Sequence, residues 1–231
     1  MAGKHLMGRL SDALTMVTAA AALLVSGLVM RDRYWSQGTH AQERDRVIEN
    51  WDEVKATGAR IGLPTSPVTI VEFGDYECPA CRSYEKNLRL VLEKHHGRVA
   101  LVYRHWPLPQ HSAAYYAARA AECARAQGSF SAFHRVLFDS TAWMSDPAVA
   151  MTRLANVAGV PDSAAFRACA ADTNSVTSIE ADIALARKLE AAGTPAIVVN
   201  GHMFGRPPDF SQLEAIIVRE SERNAKTKLF E

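Results

Sequence analysis

The chain has no excess of charge of either sign: its 231 residues include 26 Lys and Arg against 25 Asp and Glu, a formal net charge of +1. Nucleic acid and acidic polymers are therefore not indicated as partners. Internal repeats and low-complexity tracts are also lacking. The length and the hydrophobic content of 48% suit one well-packed domain with an appendage, rather than two large domains.

Cysteine is scarce, with four residues in the chain, and two of them form the motif Cys78-Pro79-Ala80-Cys81. No second Cys or His pair has the spacing that would complete a four-ligand zinc site, so we expect no metal. The eight histidines are expected on the surface or in loops. An inert structural disulfide is the remaining alternative, but such a short loop gains little from closure and suits exchange. The motif therefore favours thiol–disulfide redox chemistry.

The position of the motif assigns a role to each cysteine. It follows the β-rich run 68–73 and opens a helical run. Free backbone N–H groups and the positive end of the helix dipole favour a thiolate at a helix start, so Cys78 is predicted to be the nucleophile. Pro79 suits an early helical position because its missing N–H is not needed there. Cys81, one turn inside the helix, is predicted to be the resolving thiol.

One long uncharged run lies near the N-terminus, at residues 13–30. As a helix it would rise about 27 Å, close to the thickness of the bilayer hydrocarbon, so it predicts a transmembrane signal anchor behind a short cytoplasmic tail at 1–12. A cleaved signal peptide is the alternative, although the run does not end in small residues. Disulfide chemistry fits the oxidising side of a membrane. We therefore expect an inner-membrane anchor with the domain in the periplasm or extracytoplasmic space.

The rest of the chain predicts an α/β order of elements. Residues 31–63 are predicted to be a polar tether, in which Val47, Trp51 and Val54 indicate a short amphipathic helix docked on the domain. Two strands flanking the helix after the motif predict a parallel βαβ unit. A helical insertion at about 110–192 follows, and then a strand, a hairpin turn at Asn200 and a closing helix.

This order of elements resembles the DsbA-like thiol:disulfide oxidoreductases of the thioredoxin superfamily. The most specific parts are the stretches VTIVEFGDYECPAC at 68–81 and GTPA at 193–196, and the resemblance covers about 64–231. It implies a thioredoxin-like fold with an all-helical insertion. It also implies that Pro195 is cis and packs against the disulfide, while the backbone of Thr194 pairs with substrate. No metal or organic cofactor is implied.

Glu72 lies six residues before Cys78, where DsbA-like proteins carry a buried carboxylate. Burying a carboxylate is costly, and a raised pKa would let Glu72 shuttle the proton of Cys81 during exchange. The alternative is that Glu72 lies at the end of a strand, exposed to water. Asp75 and Glu77 are predicted to be exposed loop acids.

The sequence departs from DsbA proper at Ala80, where that protein has a histidine that helps to stabilise the thiolate. A less stabilised thiolate predicts a less oxidising disulfide. The departure therefore shifts the prediction toward isomerase or reductase roles. The remaining cysteines, Cys123 and Cys169, lie on apolar helix faces. Some relatives carry a structural disulfide there, and we expect a bond in preference to two buried free thiols.

The resemblance implies a membrane-tethered enzyme that forms disulfides in unfolded or partly folded secreted proteins with thiols, and a quinone-linked membrane partner that reoxidises it. One alternative is the same fold acting as an anchored thiol reductase or disulfide isomerase. A binding module or chaperone with structural cysteines is a second alternative, from a different functional class.

Overall fold

The computed structural model describes residues 45–172 and 177–227. The predicted cytoplasmic tail and the predicted anchor at 13–30 lie outside these residues. Within them, no helix combines the length and the apolar character needed to cross a bilayer.

A mixed six-stranded sheet forms the centre of the fold. Its strands are β1 (Arg46–Val47), β2 (Ala59–Ile61), β3 (Val68–Gly74), β4 (Val99–His105), β5 (Ala196–Val199) and β6 (His202–Met203). They are arranged in the order β1-β6-β5-β3-β4-β2, in which β3 and β4 are parallel and the other neighbours are antiparallel. All seven residues of β3 are buried, as expected for a central strand.

Helices cover the sheet and form most of the segment between β4 and β5. They are α1 (Trp51–Ala56), α2 (Pro79–Lys94), α3 (Ala114–Ala126), α4 (Phe130–Asp139), α5 (Pro147–Val157), α6 (Ser163–Ala171), α7 (Thr177–Lys188) and α8 (Phe210–Thr227). A 3₁₀ turn at Ala142–Met144 joins α4 to α5. The parallel β3-α2-β4 unit and the helical segment confirm the predicted thioredoxin-like α/β fold.

The two faces of β3 pack against different helices because successive side chains of a strand point to opposite faces. Ile70 packs in one cluster with Leu88 of α2 and Leu213 of α8. Val71 and Phe73 point the other way and pack with residues of α1 and α7. The sheet thus holds α2, whose N-terminus carries the cysteine motif, against a dry apolar surface.

The boundary predicted for the polar tether is wrong within the described residues. β1, α1 and β2 all fall inside 31–63 and belong to the sheet and its covering layer. Val54 is buried, as predicted for a docked helix, but Val47 is 68% exposed. The two edge strands are two and three residues long and depend on pairing with β6 and β4. Such short strands have no recognisable local pattern.

A buried ion pair joins three parts of the fold. Arg104 of β4 donates to the carboxylate of Asp182 on α7 and, through Nε, to the backbone carbonyl of Val54 in α1 at 2.9 Å. The other oxygen of Asp182 accepts from the backbone N–H of His105 at 2.9 Å. Burial raises the pKa of Asp182, while His105 and Arg104 oppose that rise. Removing either charge leaves the other buried without its partner.

We expect Asp182→Ala to lower the free energy of unfolding by about 3–5 kcal/mol, because it leaves the Arg104 guanidinium buried and uncompensated. The matched control is Lys188→Ala, which removes the exposed ion pair with Glu53 and should cost less than about 1 kcal/mol. Urea unfolding of both variants measures the difference. Equal losses would contradict the assignment of Arg104 and Asp182 as a structural centre.

Candidate active site

The two cysteines of the motif occupy different environments although they are one helical turn apart. Cys78 is the N-cap residue of α2, and Pro79 is the first residue of that helix. Pro79 and Ala80 are exposed. Both thiols are unbonded and buried, with 7% of Cys78 and none of Cys81 accessible. Solvent therefore reaches the pair at Cys78.

Hydrogen bonds favour the thiolate of Cys78. The Cys81 side chain contributes most to lowering the pKa of Cys78, burial opposes it, and Thr194 and the backbone N–H groups of Cys81 and Ala80 lower it further, to about 5. This is well below the usual thiol pKa of about 8.5. The helix start thus produces an acidic thiol without a histidine at position 80.

Cys81 has the opposite character. Burial raises its pKa far above the ordinary range, and the hydrogen bond to Cys78 and the nearby carboxyl of Glu72 act in the same direction. The backbone N–H of Asp75, 3.4 Å from the Cys81 sulfur, opposes the rise. At neutral pH the pair is therefore one thiolate and one thiol, as a nucleophile and a resolving group require.

The Thr194–Pro195 segment lies against the nucleophile although it is 116 residues away in sequence. The Thr194–Pro195 peptide bond is cis. The Cys78 thiol lies 3.5 Å from the carbonyl oxygen of Thr194. This segment therefore forms one wall of the site.

Glu72 is fully buried, which excludes a strand end in water. It pairs in register with Tyr103 and lies on the same face of β3 as Ile70, toward α2. Within the described residues neither carboxyl oxygen has a hydrogen-bond partner. Burial raises the pKa of Glu72 well above its ordinary value, and the charges of Glu85 and Cys78 raise it further. Glu72 is therefore a neutral acid beneath the cysteine pair.

The prediction that Asp75 and Glu77 are exposed loop acids is wrong. Asp75 is 1% exposed, and its carboxylate accepts hydrogen bonds from the backbone N–H groups of Glu77 at 2.7 Å and Leu108 at 2.8 Å. Glu77 is half-buried and accepts from the backbone N–H of Ala113 at 2.8 Å. The sequence does not show the contacts with Leu108 and Ala113, because both residues follow β4, some thirty residues further along the chain.

The prediction of surface or loop positions for the histidines is also wrong for several of them. His95, His105 and His134 are all buried. The imidazole of His134 bridges the hydroxyl of Tyr76, at 3.0 Å, and the carboxyl of Glu85, at 3.3 Å. This chain of contacts links the active-site loop, α2 and α4.

Tyr103 fills the space beside the active-site loop. Its ring stacks on Tyr76 with 5.1 Å between ring centroids. The ring also lies so close to Gly74 that a Cβ atom there would be 2.5 Å from a ring carbon. Position 74 must therefore lack a side chain for the end of β3 to reach the motif.

Cys123 and Cys169 are joined by a disulfide that ties α3 to α6. It lies at the helical cluster that also contains Cys78 and Cys81. No group of three or more His, Cys, Asp or Glu side chains in residues 45–172 and 177–227 is arranged to hold a metal ion.

We expect the rate of Cys78 alkylation by iodoacetamide to rise with pH along a curve with its midpoint near 5, because the thiolate is the reacting form. Cys81 should stay unmodified in the folded protein because it is buried and protonated. Mass spectrometry of the reduced full chain at a series of pH values measures both. A midpoint near 8.5 would contradict the assignment of Cys78 as an activated nucleophile.

Glu72→Gln should stabilise the oxidised protein increasingly as pH rises. The folded-state pKa of Glu72 is raised, so its stabilising contribution is complete below the unfolded pKa of about 4.3 and is lost as pH rises through the folded pKa. In that interval the advantage of the variant should grow by about 1.4 kcal/mol per pH unit.

Urea unfolding at pH 5 and pH 8 measures this advantage, with exposed Glu49→Gln as the matched control. An advantage of Glu72→Gln that does not change with pH would show that Glu72 is ionised in the folded protein.

Comparison with known proteins gives a consistent family. The thioredoxin family model Thioredoxin_4 matches residues 54–219. A crystal structure of a thioredoxin-like oxidoreductase from Silicibacter pomeroyi DSS-3 is 30% identical and superposes with a TM-score of 0.64, covering 75% of this chain and 98% of that one.

The curated proteins that are similar to this chain include two kinds. "Na(+)/H(+) antiporter NhaA 3" of Salinispora tropica is 34% identical over 158 residues, which are 68% of this chain and 24% of that protein. The chain thus spans about a quarter of the length of the first curated relatives it matches. "Probable disulfide bond formation protein D" of Bacillus anthracis is 27% identical, with 73% of this chain and 80% of that protein covered. The family match, the fold and the paired cysteines agree: the chain belongs to the thioredoxin superfamily and, within it, to the DsbA-like thiol–disulfide oxidoreductases.

Proposed function

We propose that the chain forms disulfides in other proteins through Cys78 and Cys81. The observation that carries this proposal is the contrast between the two sulfurs, one an acidic thiolate at the N-terminus of α2 and the other a buried thiol. A sulfur that forms a stable thiolate is a good leaving group, so the oxidised pair gives up its disulfide readily. The similarity to a disulfide bond formation protein supports the same direction.

The reaction has two exchange steps. A substrate thiolate attacks the Cys78 sulfur of the Cys78–Cys81 disulfide, the bond between the two cysteines breaks, and Cys81 leaves and takes up a proton. A second substrate thiolate then attacks the substrate sulfur of the mixed disulfide, and Cys78 leaves as the thiolate. Two electrons have passed to the protein and one disulfide to the substrate.

Glu72 is proposed to be the proton donor for Cys81 in the first step. It is a neutral acid in the folded protein, and its charge would disfavour the Cys81 thiolate. A protonated Glu72 can pass its proton to the leaving sulfur and then take up another from solvent, because its raised pKa favours the neutral acid in the reduced protein too. Without this donor the step would create a thiolate in a buried apolar site.

The surface around Cys78 suits a polypeptide substrate. Thr194 and Pro195 form one wall, and we propose that the backbone of Thr194 pairs with the substrate chain. A groove of about 750 Å³ opens beside Pro79, with Phe138 and Met144 among the side chains of its walls. Apolar side chains exposed in unfolded proteins can be accommodated there.

The cellular setting is part of the proposal. The disulfide between Cys123 and Cys169 is of a kind that persists in oxidising compartments, which supports an extracytoplasmic domain. The uncharged run 13–30 supports an inner-membrane anchor behind a short tail at 1–12. Unfolded secreted proteins with thiols would be the substrates, and a quinone-linked membrane protein would reoxidise the pair.

A reductase or isomerase role is the second candidate, and Ala80 is the observation that favours it. The low pKa of Cys78 reduces the weight of that observation, because local hydrogen bonds stabilise the thiolate without a histidine at position 80. The reduction potential of the full chain in detergent, measured in glutathione buffers, separates the roles. A value near about −120 mV supports disulfide donation, and a value near about −270 mV supports reduction.

We expect the oxidised full chain to introduce disulfides into reduced, unfolded ribonuclease A. Cys78→Ser should abolish the transfer. Cys81→Ser should abolish it as well, because without Cys81 the chain cannot form the Cys78–Cys81 disulfide that it donates. Non-reducing electrophoresis and loss of substrate thiols measure both. Transfer by the Cys78→Ser variant at the rate of the unchanged protein would overturn the proposal.

A further inference from the structure

The loop that follows β4 is attached to the active-site loop at several points. The backbone N–H of Trp106 donates to the carbonyl of Gly74 at 2.8 Å. The N–H groups of Leu108 and Ala113 donate to the two acids that flank Tyr76, Asp75 and Glu77. These contacts hold residues 106–113 beside the start of α2.

His111 is fixed within this loop by a charged hydrogen bond. Its Nδ1 lies 2.7 Å from a carboxyl oxygen of Asp75. Because the carboxylate accepts, Nδ1 carries the proton and donates it, and protonation of Nε2 makes the ring a cation. The His111 side chain is 19% exposed, so it exchanges protons with solvent. Asp75 is fully shielded and also accepts two backbone hydrogen bonds, which fixes the geometry.

The groups that face His111 are the carboxylates of Asp75 and Glu77 and the sulfur of Cys78. Burial lowers the pKa of His111, but the hydrogen bond and charge of Asp75 outweigh burial, and the charges of Glu77 and Cys78 add to the rise. The net result is a histidine that retains its proton to higher pH than usual. At Cys78 itself, the largest influences on the pKa are the hydrogen bond from the Cys81 side chain and burial, which oppose each other.

We propose that His111, held by Asp75, is a positioning residue whose positive charge stabilises the Cys78 thiolate from outside the cysteine motif. The inference rests on the proposed function, since it assigns a charge partner to the same nucleophile. Asp75 is the residue through which the loop, the ring and the cysteines are held together: its backbone N–H donates to Cys81, and its carbonyl accepts from the N–H of Cys78 at 3.2 Å. These contacts hold the His111 ring beside the loop that leads into the cysteine motif.

The proposal links two titrations. In the reduced protein the His111 cation faces the Cys78 thiolate, whereas in the oxidised protein that negative charge is gone. By linkage, the free energy by which the His111 cation stabilises the thiolate equals the free energy by which the thiolate stabilises the His111 cation. The pKa of His111 is therefore higher in the reduced protein than in the oxidised protein. A histidine that only tied the loop in place would show no such difference.

The test compares the full chain in detergent with His111→Gln and His202→Gln. Glutamine at 111 can still donate a hydrogen bond to Asp75 but carries no charge, and His202 is exposed on β6. Three quantities are measured: the pH profile of Cys78 alkylation, the equilibrium with glutathione, and the histidine ring titrations by NMR. The His111 signal is the one missing from the His111→Gln spectrum.

We expect His111→Gln to shift the alkylation midpoint upward and the glutathione equilibrium about two- to fivefold toward the disulfide form, because the reduced state loses a favourable charge. His202→Gln should match the unchanged protein. His111→Lys should restore the low midpoint, because its cation is permanent. In the unchanged protein the His111 titration should move to lower pH on oxidation.

Two failures are distinguishable. If the unchanged protein shows no reactive low-pKa thiol at Cys78, the proposed function itself fails. If that thiol is present but His111→Gln shares its midpoint and equilibrium, and the His111 titration is the same in both redox states, the role of His111 is overturned.

Discussion

The structure depends on one constraint, which is that two sulfurs one helical turn apart must differ greatly in acidity. The N-terminus of α2 meets part of it by position: Cys78 precedes the first helical residue, where backbone N–H groups are unpaired, whereas Cys81 is inside the first turn and has no exposed surface. The rest of the domain keeps that helix end in place. The dry face of β3 supports α2 from below, and the Thr194–Pro195 segment closes the site from the side.

Local sequence patterns were sufficient to predict the central elements of the fold. The run ending in Phe73, the motif and the apolar spacing of α2 are short-range patterns, so the parallel βαβ unit followed from them. The edge strands did not follow, because Arg46–Val47 and Ala59–Ile61 are too short to show alternation and are defined by pairing with strands far away in sequence.

The candidate site divides in the same way. Cys78, Cys81, Glu72 and the Thr194–Pro195 dipeptide could be selected from spacing and resemblance. The position of His111 could not, because its meeting with Asp75 depends on how the loop after β4 folds back. Asp75 itself was assigned to solvent, since an acid in a short loop between Gly74 and a helix is usually exposed. A carboxylate that organises backbone N–H groups from two loops leaves no periodic pattern in the sequence.

The bond between Cys123 and Cys169 has a consequence for how the protein matures. Four cysteines allow three complete pairings, and just one of them keeps the motif together while joining α3 to α6. Each newly made copy therefore has to join Cys123 to Cys169 without pairing either sulfur with Cys78 or Cys81.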